Sequence, residues 1–313
     1  KIIKLKKEVL FMQVFFTYLD VTIKLVTNNV DVVNFCINSF YGYFDTKIND
    51  VISSEIIINE NVNCNKYERI QKYYSYDLYY NENMKDIFIT ALKNDYCIEI
   101  MRFIRELFIY FLNKKSSLFL HAACVEKNRK GIIILGEKGA GKTTTCIALL
   151  KLGYNFVSND KLIIRNINQD IICNGLPISI GIRNPTKNLF KELNDLYEKN
   201  EDGRYYIKPQ KLTEKFKTKI TKQCKASLIL IPKYIESQTI IKVQKIELDD
   251  KRKIIKKQVL KSVYEKEKVF DEIDFYNQDI TLNFFKDIPA YEISVNESLN
   301  MFLDSEITKI LRG

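Results

Sequence analysis

The chain has 313 residues, 46% of them hydrophobic and 28% charged, with only five prolines, which excludes a disordered or collagen-like chain and leaves room for one large domain or two ordinary ones. The net charge of +10 comes from lysine spread over the whole length, and no stretch interleaves basic and aromatic residues in a nucleic-acid-binding pattern. It reads as a lysine-rich solvated surface, and no nucleic-acid partner is expected.

Seven cysteines (Cys36, Cys64, Cys97, Cys124, Cys146, Cys173 and Cys224) are dispersed without a CxxC pair, and His121 is the single histidine. That spacing argues against a disulfide framework and a zinc site, and fits a reducing cytoplasm. Cys146 and Cys173 stand in apolar patterns and read as small core residues. The first twenty residues pair lysines with an apolar run, but Glu8 and Gln13 interrupt it and no small-residue cleavage site follows, so no signal peptide is read there. No segment reaches 18 uninterrupted apolar residues, so no membrane span is expected.

Residues 1–117 carry no catalytic constellation and read as a mixed α+β accessory or substrate-recognition region. Val14–Leu19, Val21–Val26 and Glu55–Ile58 have strand character, and a helix apolar nearly all round is predicted over Ile98–Asn113, buried against the sheet that follows. From Leu118 the texture becomes α/β. Leu118–Glu126 and Gly131–Leu135 read as two strands around a polar turn, followed by a glycine-rich loop and a helix over 142–152 that ends at Gly153. Tyr154–Ser158, Lys161–Arg165, Ile171–Ile182, Ala226–Pro232, Ile240–Ile246 and Ala290–Val295 are strand candidates. Thr186–Lys199, the basic stretch 249–268 and Glu297–Leu311 have helical spacing.

The loop Gly136-Glu137-Lys138-Gly139-Ala140-Gly141-Lys142-Thr143 satisfies G-x-x-x-x-G-K-[ST] between a strand and a helix. Backbone N–H groups and the positive helix end then face phosphate oxygens, and the glycines allow close approach. The whole segment 136–144, with Thr144, is the nucleotide-binding set. Lys142 is expected at the β- and γ-phosphates and Thr143 on Mg²⁺. An apolar strand follows the helix directly and ends in Asn159-Asp160, so one compact βαβ unit brings Asp160 beside the loop, as metal ligand or as general base. His121 is either a packed core group or an active-site group near phosphate, metal or Asp160.

Taken together, the His121 strand, the phosphate loop, the short helix with its Gly-Tyr pair and the strand ending in Asn159-Asp160 resemble the kinase domain of bacterial HPr kinase/phosphorylase, and more distantly phosphoenolpyruvate carboxykinase. The segments GLPISI (175–180), RYYIKP (204–209) and IPAYEI (288–293) are similar to divergent HPr-kinase-like proteins, some of which phosphorylate a serine of a precursor peptide. The resemblance covers roughly residues 118–313. It implies an α/β P-loop kinase domain, ATP as donor with GTP as the alternative, Mg²⁺, a peptide or small-protein acceptor, a cytoplasmic setting and a homo-oligomer. By it Lys142 and Thr143 take the phosphate and metal roles, Asp160 the metal or base role and His121 an active-site role. Arg183 is a candidate for stabilising charge on the transferred phosphoryl group. The family has two adjacent acids where this chain has Asn159-Asp160, and Cys173-Asn174-Gly175 replaces the acidic metal-binding motif of the bifunctional enzymes, which argues against the reverse reaction. A small-molecule kinase of the same fold and a nucleotide-gated module without transfer are the competing functions.

Overall fold

The computed structural model describes residues 11–40, 42, 44, 51–58, 68–70, 77–81, 85–90, 96–113, 117–176, 178–199, 205–234, 243–259, 283–295, 305, 307, 309 and 310. The described residues divide into two compact units, 11–113 and 117–310.

The first unit is a six-stranded sheet with two helices. Its elements are β1 (Met12–Tyr18), β2 (Val21–Thr27), α1 (Val30–Phe40), β3 (Ser54–Ile58), β4 (Glu68–Ile70), β5 (Asp77–Tyr80), β6 (Asp86–Thr90) and α2 (Tyr96–Asn113). The strand order is β1-β2-β3-β6-β5-β4, with β2, β3 and β6 mutually parallel. Within this unit α2 packs on α1 and β2, burying Phe103, Ile104, Leu107 and Phe108. The Phe44 ring lies 4.5 Å from Phe40 and 4.8 Å from Phe108, centroid to centroid, closing an aromatic cluster over β1.

The second unit contains β7 (Leu118–Leu120), β8 (Ala123–Lys127), β9 (Lys130–Ile134), α3 (Lys142–Lys151), β10 (Asn155–Ser158), β11 (Leu162–Ile167), β12 (Asp170–Gly175) and β13 (Ile180–Ile182). It continues with α4 (Asn184–Leu189), a 3-10 turn (Lys191–Leu196), β14 (Glu198–Lys199), β15 (Tyr205–Ile207), α5 (Pro209–Lys215), β16 (Gln223–Tyr234), β17 (Val243–Lys245), α6 (Leu248–Gln258) and β18 (Ala290–Val295). The main sheet runs β10-β8-β9-β16-β12-β11-β7, and β18, carrying β17, takes over from β12 along one edge of β16. Strands β13, β15 and β14 form a small separate sheet. The α/β class follows from this sheet and its helices.

Three expectations change in detail. The single strand over 118–126 is broken at His121, because β7 pairs with β11 while β8 pairs with β9 and β10. The strand over 171–182 likewise divides between two sheets, as β12 and β13. Thr186–Lys199 is a short helix, a 3-10 turn and a two-residue strand rather than one helix. The basic helix is α6 up to Gln258; the rest of that stretch, like most of 297–311, lies outside the described residues.

The outermost strands of the main sheet are both covered. A bridge joins Leu120 on β7 to Val259, and another joins Phe156 on β10 to Ile220. In the middle of the sheet, Gly131 on β9 is required by close approach. A Cβ there would stand 2.5 Å from Cys224 Sγ and 2.9 Å from the Lys225 carbonyl oxygen. Since the backbone carbonyl cannot yield, Gly131→Ala is expected to destabilise the protein by about 1–3 kcal/mol, read as a lower midpoint in urea at unchanged slope.

Candidate active site

The phosphate loop hangs from β9, whose Ile132, Ile133 and Ile134 are fully buried between β8 and β16. Leu135 continues the pairing through its N–H to the Leu230 carbonyl, so the loop starts from a fixed point. Gly136, Gly139 and Gly141 all have positive φ (+150°, +95° and +102°), and a Cβ on Gly136 would lie 2.9 Å from that of Ala140. Those angles are ones that a residue with a β-carbon rarely adopts. Helix α3 then starts at Lys142, with Thr145 N–H bonded to the Gly141 carbonyl.

Lys142 is buried, and its ammonium donates to the carbonyls of Gly136 (2.7 Å) and Glu137 (3.3 Å). Burial lowers its pKa; Asp160 opposes that and Arg183 adds to it. Glu137, Lys138 and Gly139 form the exposed tip of the loop, while Thr143 and Thr144 are half-buried in the first turn of α3. The Thr144 and Thr186 hydroxyls share a 2.9 Å hydrogen bond, which docks α4 on α3. Arg183 immediately precedes α4, and its guanidinium approaches the place of a Gly139 β-carbon at 4.0 Å. The geometry therefore brings Arg183 to the loop itself.

Asp160 and His121 come together through strand register. Ser158 on β10 pairs with Cys124 on β8 after a bulge between Phe156 and Ser158. Continuing both strands outward by two or three residues leads to Asp160 and His121. Their closest atoms, Asp160 Oδ1 and His121 Nε2, are 3.5 Å apart. The bulge re-aims the strand just before the acid, and the Ser158 hydroxyl closes the turn by donating to the Lys161 carbonyl. His121 sits in the bend between β7 and β8, and its backbone N–H donates to the Gln258 carbonyl at the end of α6.

Burial alone would raise the Asp160 carboxyl. The hydrogen bond and charge of His121, then Lys142 and Lys161, outweigh it and hold the acid below the usual carboxylate value. A carboxyl depressed in the folded state adds stability above its unfolded pKa, lost as pH falls through the folded pKa. With 42% of the side chain exposed, screening makes that contribution small. Asn159 points the other way. It is only 5% exposed, and neither its amide nitrogen nor its oxygen has a hydrogen-bond partner.

The crossover differs from a simple βαβ unit in one respect: β8 lies between β9 and β10, antiparallel to both. Strands β9 and β10 are still mutually parallel, so their C-terminal ends, carrying the loop and Asp160, face the same side. Sequence reading does not find Thr186, the Gln258 carbonyl or the inward turn of Asn159, because each depends on a remote partner.

No family model matches the chain. The HPr kinase/phosphorylase of Clostridium beijerinckii is 24% identical over 178 residues, covering 51% of this chain and 58% of that protein. That of Clostridium perfringens strain 13 is 32% identical over 82 residues, 26% of this chain and 27% of the relative. The chain is HPr kinase-like, in a divergent form. It spans less than two thirds of the length of these HPr kinase/phosphorylases. A solved structure, the Hpr(Ser) kinase/phosphatase from Coxiella burnetii, aligns over 61% of this chain and 94% of its own at 14% identity and a TM-score of 0.30. The second unit thus brings together the loop with Lys142 and Thr143, the Asp160–His121 pair, and Arg183 beside the loop. Among the described residues no helix is long and apolar enough to cross a membrane.

Proposed function

We propose that this chain is an ATP-dependent, Mg²⁺-requiring kinase that transfers the γ-phosphoryl group to a hydroxyl, that of a Ser or Thr in a peptide or small protein. The observation that carries the reading is the Asp160 carboxylate, held ionised by His121 and lying in the field of the phosphate-loop Lys142.

In this reading the acceptor hydroxyl gives its proton to Asp160 as its oxygen bonds to the γ-phosphorus and the bond to the departing ADP breaks. His121 orients the carboxylate. Lys142 and Arg183 offset the negative charge on the transferred group. Thr143 and Asp160 offer hard oxygen donors that suit Mg²⁺, which when bound neutralises charge on the phosphates. GTP is the alternative donor. Residues 1–117 would serve acceptor recognition, and the likeness to HPr kinases supports a protein-type acceptor.

A second reading, nucleotide binding without transfer, draws on the neutral Asn159. Its burial weakens that reading: an acid at this position would be an unpaired charge in the interior, whereas Asp160 is the residue that meets His121.

The test is incubation with labelled ATP and peptides encoded by neighbouring genes, alongside a metabolite set. Label on a peptide Ser or Thr is expected. Transfer to a metabolite alone would make it a small-molecule kinase, and tight binding with no transfer a nucleotide-gated module. One further outcome concerns His121. His121→Ala removes an interaction that lowers the Asp160 pKa, so the acid limb of the kcat/KM profile should move to higher pH. An unmoved limb would dissociate His121 from the base.

A further inference from the structure

Three thiols far apart in the sequence converge in the core of the second unit. Cys173 on β12 and Cys224 on β16 are direct cross-strand partners, while Cys124 lies on β8, beyond β9 from β16. They meet because the intervening β9 has Gly131 at the crossing point, where a Cβ would touch the Cys224 sulfur. Cys124 Sγ and Cys224 Sγ are 3.8 Å apart, and all three sulfurs lie within 4.8 Å of one another. Each is a free thiol.

The spacing has a chemical meaning. Metal–thiolate bonds of about 2.3 Å in a trigonal plane put the sulfurs about 4 Å apart. The three sulfurs match that with little movement. Among the described residues no His, Asp or Glu joins the group. Zinc in a structural site takes four ligands, whereas an all-thiolate, three-coordinate set suits a soft monovalent ion. The site also has an access route. Cys224 lines a cavity of about 590 Å³ together with Glu126, Arg129, Lys219 and Lys225.

We propose that Cys124, Cys173 and Cys224 bind one Cu(I) ion as three thiolates, loaded through the cavity beside Cys224. Each thiol that ligates releases one proton, and copper stays monovalent, so no oxidant or reductant is consumed. The thiols lie inside the main sheet, where Cys124 pairs with Ile133 on β9 and with Ser158 on β10. The proposed ligands are distinct from the residues assigned to nucleotide chemistry, Lys142, Thr143, Asp160 and Arg183.

The test is an anaerobic titration of the reduced full chain against Cu(I) held by bicinchoninate, in a Cys36→Ser/Cys64→Ser/Cys97→Ser background. One equivalent should be withdrawn per chain, with X-ray absorption showing a shell of three sulfurs. Cys124→Ser and Cys224→Ser should each weaken uptake by roughly 100-fold or more, while Cys146→Ala leaves it unchanged. No uptake by the background chain would overturn the proposal. So would a nitrogen or oxygen shell, an outcome that does not depend on how the serine variants fold.

Discussion

Asp160→Asn is expected to lower phosphoryl transfer by about 10²- to 10⁴-fold, the range for losing a positioned general base. The amide matches the carboxylate in shape, and His121 remains at hand, so the loss isolates proton acceptance and charge. Nucleotide affinity should change far less, because Lys142 and the loop amides are untouched. Single-turnover transfer from labelled ATP and equilibrium binding of the nucleotide separate the two. Unchanged transfer would remove Asp160 from the chemistry. The opposite contrast, lost binding with intact transfer at saturation, would leave it as a metal ligand only.

The second large effect is at Lys142. Replacement by Met keeps a stem of similar length and removes the ammonium, and transfer should fall by about 10²- to 10³-fold, as for the loss of one preorganised charge-stabilising donor. Affinity for ATP with Mg²⁺ should fall with it, read by titration calorimetry. Stability of the nucleotide-free protein should move little or rise. Burial already lowers the Lys142 pKa, so an apolar replacement relieves a desolvation cost. A variant that loses binding and also melts much earlier would show that Lys142 chiefly holds the loop carbonyls of Gly136 and Glu137.

Much of this site could be read directly because its signals are local. The loop, its strand and its helix occupy one continuous stretch, and Ala290–Val295 has the expected bounds because Tyr291, Ile293 and Val295 alternate with Glu292 and Ser294 after Pro289. What escaped depends on pairing. The break at His121 arises because the chain changes partners between β7 and β8, which apolar periodicity does not record. Helix α1 was hidden by its β-branched residues, although Asn29 announces it: its side-chain oxygen accepts from the N–H groups of Asp31 and Val32. The thiol cluster joins residues about fifty positions apart, through the register of β12 with β16 and the gap at Gly131. Dispersed cysteines in a sequence therefore do not argue against a metal site as strongly as their spacing suggests.

The two bridges on the outer strands of the main sheet have a consequence for how the protein behaves at high concentration. An uncovered strand offers a row of unpaired N–H and C=O groups to another chain, the usual seed of strand-on-strand aggregation. Here β10 is met along its open side by 219–221, with the Phe156 N–H donating to the Lys219 carbonyl and the Thr221 N–H to the Phe156 carbonyl. On the opposite flank, Val259 covers Leu120 at the end of α6, next to the bond that holds His121. The same residues that brace His121 thus close one edge to neighbouring molecules, and loosening that contact would expose a sticky strand as well as shift His121.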